Sequence, residues 1–227
     1  MSDASAIAIL GGTGDQGLGL ALRFTRAGAR VVIGSRKLER AREAADDVRS
    51  QVEGADVSGL ANAEAATGAG IVILSVPFEH TAGTLKSVRE VLTPGQIVVS
   101  MGVPLATAVG DAATRMLGVW QGSCAELVAS LLPDGVHAVS AFQNVSAHRL
   151  QTLAEPVECD VVVSGAKAPR ERVMELCALV PGLRAVDGGP LANARIVESL
   201  TALLIGMNIR YRLPEGVGIR FTGLPER

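Results

Sequence analysis

Aromatic side chains are scarce in this chain: four phenylalanines, one tryptophan and one tyrosine in 227 residues. That scarcity argues against a surface that stacks nucleobases. A net charge of −2 removes the basic field that a nucleic-acid partner needs. The cysteines, Cys124, Cys159 and Cys177, are odd in number, scattered and without Cys-x-x-Cys spacing. Neither a disulfide framework nor a thiolate metal site is indicated. His80, His137 and His148 lack ligand spacing too, so no metal is assigned. The apolar stretches around 71–76 and 200–207 are too short or too interrupted to span a bilayer, which takes ~20 residues. The opening MSDASA has no basic-then-apolar signal pattern. The expectation is a cytoplasmic protein without nucleic-acid or membrane partners.

What is present is an alternation. Short β-branched runs fall at 7–10, 30–33, 56–59, 71–76, 96–100, 137–142, 160–164 and 184–187. Ala-rich helical stretches fall at 17–26, 37–52, 63–67, 80–91, 123–132, 169–180 and 192–210. Strands that are nearly continuous apolar runs fit a parallel sheet covered on both faces. The expected fold is therefore α/β, a Rossmann-type doubly wound, mostly parallel sheet with a smaller C-terminal portion. The stretch 102–122 reads as a loop. A boundary near 148–158 divides the chain into a nucleotide-binding domain, 1–150, and a C-terminal portion, 151–227.

Gly12-x-Gly14-x-x-Gly17 follows the first strand and opens the first helix. In that context the first glycine permits a tight turn, the second lets a pyrophosphate approach the backbone, and the third lets helix and sheet pack closely. The bland alternative is a glycine turn that merely packs. The second strand ends in Ser35-Arg36-Lys37, where an NAD site has an acidic residue for the ribose hydroxyls. Ser35 reads as an N-cap, with Arg36 and Lys37 in the first helical turn, where the macrodipole disfavours cations. A 2′-phosphate would reverse that penalty, with Arg40 one turn further on, so NADP is expected over NAD. The alternative is a solvated basic face balanced by Glu39 and Glu43. The same glycines fit Gly11-x-x-Gly14-x-x-Gly17, but no Tyr-x-x-x-Lys accompanies them: Glu215 stands four residues after Tyr211.

Across nearly its whole length the chain resembles the F420-dependent NADP reductases (NADPH:F420 oxidoreductases). The matching stretches are LGGTGDQGLGLALR, VVIGSRKLERA, ILSVPFEH, IVVSMGVP, CAELVA, VSAFQNVSA, GGPLANARIVESLT and GVGIRF. The resemblance implies hydride transfer between NADPH and the 5-deazaflavin F420, with the deazaflavin in a cleft completed by the C-terminal part. It implies Thr13, Gly14, Asp15 and Gln16 around the NADP pyrophosphate and adenosine, and Ser35, Arg36 and Arg40 on the 2′-phosphate. Pro77, Phe78 and His80 would lie beyond the fourth strand, and Val103 and Pro104 beside the nicotinamide ribose. Ala147 would meet the nicotinamide amide through its backbone. Gln143, Val145 and Ser146 would line the meeting place of the rings, and Val217 would touch the deazaflavin. Some family members carry His and Pro where Gln143 and Ser146 stand here. Outside the resemblance Phe142 and Val145 read as core, Pro77 as a strand terminator, His80 as a helix-start residue, and Gly216 and Gly218 as turn glycines.

No catalytic side chain is assigned, because two cofactors can exchange a hydride when the protein only orients them. The alternatives are an NADP-dependent reductase of flavin or ferric iron, and a non-enzymatic NADP-sensing protein. Ile196, Val197, Leu200, Leu203, Leu204 and Met207 give the last helix a wide apolar face. That face is core or, in part, the interface of a homodimer or higher homo-oligomer. Arg195 and Glu198 read as a local i,i+3 pair.

Overall fold

The computed structural model describes residues 6–225. The signal-pattern expectation falls mostly on residues outside that range, as do the outermost ends of both expected domains. Eight strands form one sheet: β1 (Ile7–Leu10), β2 (Val31–Ser35), β3 (Val57–Ala61), β4 (Ile71–Leu74), β5 (Ile97–Ser100), β6 (His137–Ser140), β7 (Cys159–Gly165) and β8 (Leu183–Asp187). Their order is β3-β2-β1-β4-β5-β6-β7-β8. The first six follow the doubly wound dinucleotide order and are all parallel. Strand β7 joins β6 antiparallel through Val139↔Gly165 and Ser140↔Ser164, and β8 runs parallel to β7.

Alternation along each strand explains why both faces need cover. Ile7, Ile9, Ile33, Ile73 and Val99 point to one core, and Ala8, Leu10, Val32, Val72, Leu74 and Val98 to the other. The first core is closed by helices α1 (Asp15–Arg26) and α2 (Leu38–Gln51), with Leu20, Phe24, Ala41 and Val48 buried. The second is closed by α3 (Asn62–Ala66), α4 (Phe78–Val88) and α5 (Cys124–Leu131), with Ala65, Leu85 and Val128 buried.

Two departures from the sequence reading matter for the site. First, β6 ends at Ser140, not at Phe142. Phe142 has φ 70°, a left-handed conformation that costs a non-glycine residue about 1–3 kcal/mol. Its fully buried ring meets Phe24 edge-on at 6.3 Å, and that packing holds the strained turn. Second, a short helix the sequence did not disclose, α6 (Ala147–Gln151), follows. Buried Arg23 of α1 donates to the carbonyls of Arg149, Leu150 and Thr152, satisfying the last groups of α6. The C-terminal helices are α7 (Lys167–Cys177) and α8 (Ala194–Tyr211).

Beyond α8 the chain folds back over β7. The Asp160 amide N–H donates to the Ile219 carbonyl, 2.7 Å. The fully buried Asp160 carboxylate accepts from Arg184, Arg220 and the Phe221 N–H. Burial alone would raise this carboxyl; the hydrogen bonds from Arg184, Phe221 and Arg220 outweigh that and hold it down at about 2. This clasp fixes the tail on the sheet.

Candidate dinucleotide-binding cleft

The chain reverses direction on the sheet between β1 and β4: α1 covers one face and α4 the other. Such a switch point opens a crevice at the carboxyl ends of the strands. Gly11 makes the turn there with φ 74°, and a β-carbon on it would lie 2.5 Å from the Ser75 carbonyl oxygen. The tight-turn role expected of Gly12 therefore belongs to Gly11. Gly12 instead packs on β1, where an added β-carbon would meet the Ile9 oxygen at 2.8 Å. Gly17 serves the close packing expected of it: a β-carbon would lie 2.7 Å from the Gly12 α-carbon. At Gly14 the nearest protein atom to such a carbon is 3.6 Å away, so the backbone stays open to a ligand. No side chain caps α1, whose first N–H groups have no intrahelical acceptor. Those donors and the helix dipole face an anion.

One cavity of about 390 Å³ runs from this turn to the tip of β2. Its walls include Gly11, Thr13 and Gly14, then Ser35, Arg36, Lys37 and Arg40, with Pro77 and His80 at the start of α4. Ser35 is not the N-cap expected: it is the last residue of β2, and Lys37 is the N-cap of α2. The Ser35 hydroxyl instead accepts from the Lys37 N–H, 3.2 Å, because the parallel ladder with Ala61 keeps Ser35 extended. Arg36 and Lys37 thus precede the first turn of α2. They still crowd its positive end, and none of Arg36, Lys37 and Arg40 forms an ion pair with a described carboxylate. Uncompensated cations at a helix start fit an anionic occupant.

A second cavity, about 310 Å³, shares Gly14, Ser75, Val76 and Pro77 with the first. Its other walls include Asp15, Gln16, Phe78, Val103 and Gln143, with Thr201 of α8 opposite. Gln143 is buried. Its amide nitrogen donates to the Ser100 carbonyl and the Ser140 hydroxyl, while its Oε1 has no partner among the described residues. Thr201 donates to the Gln143 carbonyl, 3.0 Å, and fixes this corner. Sequence reasoning missed Ser75, Asn62 and Thr201. The first two sit just past β4 and β3, where the strand-end rule would have found them. Thr201 carried no local signal.

Gly12, Gly17, Pro104, Val145, Ser146, Ala147 and Val217 lie outside the walls of both cavities. Several connect to them. The Gln16 amide donates to the carbonyls of Phe142 and Val145, tying the glycine turn to the strained connector. Ser146 caps α6 and donates to the Glu215 carbonyl. Arg149 donates to the Gly216 carbonyl, and the Val217 N–H to Asn208. Pro104 accepts from the Leu117 N–H and shapes the loop after β5.

Glu198 is not the local i,i+3 partner expected for Arg195. It is 1% exposed and accepts from the N–H groups of Cys124 and Ala125 at the start of α5, at 2.8 and 3.0 Å. The buried α5 terminus needed an acceptor, and α8 packs there. Burial raises its carboxyl to about 7, with Glu126 adding to the effect and the two N–H donors opposing it. Burial likewise pushes the Cys124 thiol up to about 11, so it is not a nucleophile.

The model of NADP oxidoreductase coenzyme F420-dependent proteins matches residues 6–104. An F420-dependent NADP reductase of Methanocaldococcus jannaschii is 48% identical over 223 residues, 96% of this chain and 98% of the relative. One from Methanothermobacter marburgensis is 44% identical over 97% of this chain and 99% of its own. A crystal structure of an Arthrobacter sp. FB24 protein superposes with TM-score 0.78 at 23% identity, covering 96% and 100% of the two chains, a likeness that speaks to fold. Identity of this extent over almost the full length of both chains places this one in the family of F420-dependent NADP reductases.

Proposed function

We propose that the chain moves a hydride between NADPH and F420, with the two adjoining cavities holding the two halves of that exchange. The observation that carries this is their shared wall. One cavity joins an uncapped helix start to three cations without an ion pair among the described residues; the other joins the same glycine turn to aliphatic walls and one amide oxygen without a described partner. Pyrophosphate suits Thr13, Gly14, Asp15 and Gln16, and the 2′-phosphate suits Ser35, Arg36, Lys37 and Arg40. Val103, Pro77, Phe78 and Gln143 suit the nicotinamide end. Pro104, Val145, Ser146 and Ala147 support that corner from behind, and the C-terminal portion, 151–227, completes the deazaflavin side with Val217.

When bound together, the cofactors supply the hydride chemistry. The chain's own work is positioning and exclusion of water. The Gln16 amide locks the 142–145 connector against the glycine turn, and Thr201 locks Gln143, so both sides of the second cavity are held by one network. No proton donor is required of the walls.

The dimer belongs to this proposal. Helix α8 buries Val197, Ala202 and Leu204 but leaves Ile196 exposed, and Leu203, Met207 and Ile209 exposed along an open groove of about 1110 Å³. That groove shares no lining residue with the two cavities, though it adjoins the second through Thr201, and its exposed apolar side chains suit a second subunit. A cytoplasmic location is proposed too: all three thiols are free and buried, and no described helix is long and apolar enough to cross a membrane.

Purified protein with NADPH should bleach the visible absorbance band of F420 and leave FMN and a ferric chelate untouched. Turnover of flavin or iron in preference to F420 overturns the acceptor. Tight NADPH binding with no turnover of any acceptor marks a sensor instead.

A further inference from the structure

Asn62 is the first residue of α3, directly beyond β3, whose last residue Ala61 pairs with Ser35. Its side chain is 7% exposed and lines the first cavity. The amide Oδ1 has no hydrogen-bond partner among the described residues. It lies over the backbone of Gly34: a β-carbon there would come within 2.9 Å of it. Gly34 thus leaves the space that the amide occupies. A buried acceptor without a donor is unfavourable until a ligand supplies one.

The neighbours limit what that ligand group can be. The cations Arg36, Lys37 and Arg40 and the glycine turn account for the phosphates. Asn62 adds no charge, and a neutral carboxamide offers an acceptor beside a donor. Adenine presents the complementary pair, its 6-amino group beside a ring nitrogen. We infer that Asn62 reads the edge of the NADP adenine base through its side-chain amide, making it a specificity residue of the nucleotide site. This rests on the proposed NADP reading and adds the base to it.

The test compares NADPH with its 1,N6-etheno analogue, in which that edge is blocked, by titrating protein fluorescence. The Asn62 amide bonds no described residue, so Asn62→Ala should fold with an unchanged Tm. The wild-type chain should bind NADPH about tenfold or more tighter than the analogue. In Asn62→Ala that ratio should collapse through weaker NADPH binding, not through stronger binding of the analogue. The preference for NADPH over NADH should persist. Asn62→Asp, which keeps the acceptor but sets a second one against the ring nitrogen, should lose NADPH affinity as well and serves if the alanine variant is unstable. The inference falls if Asn62→Ala binds NADPH within about twofold of wild type, since a good amide–base pair contributes more than that. Equal losses for both ligands also overturn it, because the contact is then to ribose or phosphate. A gain for the analogue alone shows only a steric wall. If wild-type protein binds no NADPH, the parent reading fails first and takes this one with it; if it binds without base discrimination, only this one fails.

Discussion

At Arg36 the guanidinium faces a cavity that already holds Lys37 and Arg40, and no described carboxylate pairs with it. On the proposed reading, truncation removes an interaction with a bound anion and disturbs no ion pair among the described residues. Arg36→Ala should weaken NADPH by about 1.5–3 kcal/mol and hardly change NADH, as measured by fluorescence titration of both. Equal losses would mean the cation serves the helix and not the phosphate. Glu198 makes a different single-residue case. Its folded carboxyl titrates at about 7 against an ordinary 4.5, chiefly through burial. The folded state therefore keeps a proton that the unfolded chain releases across that window. Stability is full below about 4.5 and declines by about 3 kcal/mol as pH rises to about 7. Glu198→Gln keeps the shape and removes the charge, so urea midpoints should become flatter across that range.

Between elements, the informative contacts are those the local sequence cannot announce. The C-terminal tail is held to β7 by the Asp160 clasp, whose carboxyl sits at about 2 against 3.8. Its contribution is present above about 3.8 and is lost as pH falls toward about 2, about 2 kcal/mol in all. Asp160→Asn should lower the unfolding free energy at neutral pH by a comparable amount, read from urea denaturation. It should also expose the stretch 212–225 to limited proteolysis while α1 to α5 stay protected. Helix α8 divides its apolar residues between core and surface, so its two faces predict different outcomes. Leu203→Asp, on a side chain 59% exposed, should shift the sedimentation of the protein toward monomer, with any fall in Tm limited to the stability lost with association. An unchanged assembly would place the interface elsewhere.

Over the whole molecule, the central strands β1, β4 and β5 were the most legible because a parallel strand buried on both faces writes itself as a nearly continuous apolar run. Ile7–Leu10 is such a run, and its bounds are those expected. The short helix α6 was not legible: its five residues, Ala-His-Arg-Leu-Gln, are too few to show a helical period, and Arg23 from α1 is what satisfies its last carbonyls. The glycine motif and the cationic strand tip announced a nucleotide, since a turn needs glycine and a phosphate needs cations wherever they occur. Their exact duties were not announced. Gly11 took the turn from Gly12, and Ser35 stayed in the sheet, because the ladder with β3 outweighed its capping tendency.

Residue order alone specified the alternation of strand and helix, the glycine turn and the cationic strand tip, since each depends on neighbours a few positions apart. Packing alone decided that Asn62 and Thr201 face the cavities, that Glu198 lies inside beneath α5, and that Phe142 is held in a left-handed turn. Those outcomes join residues that lie far apart in the chain, and only the assembled sheet brings them within bonding distance.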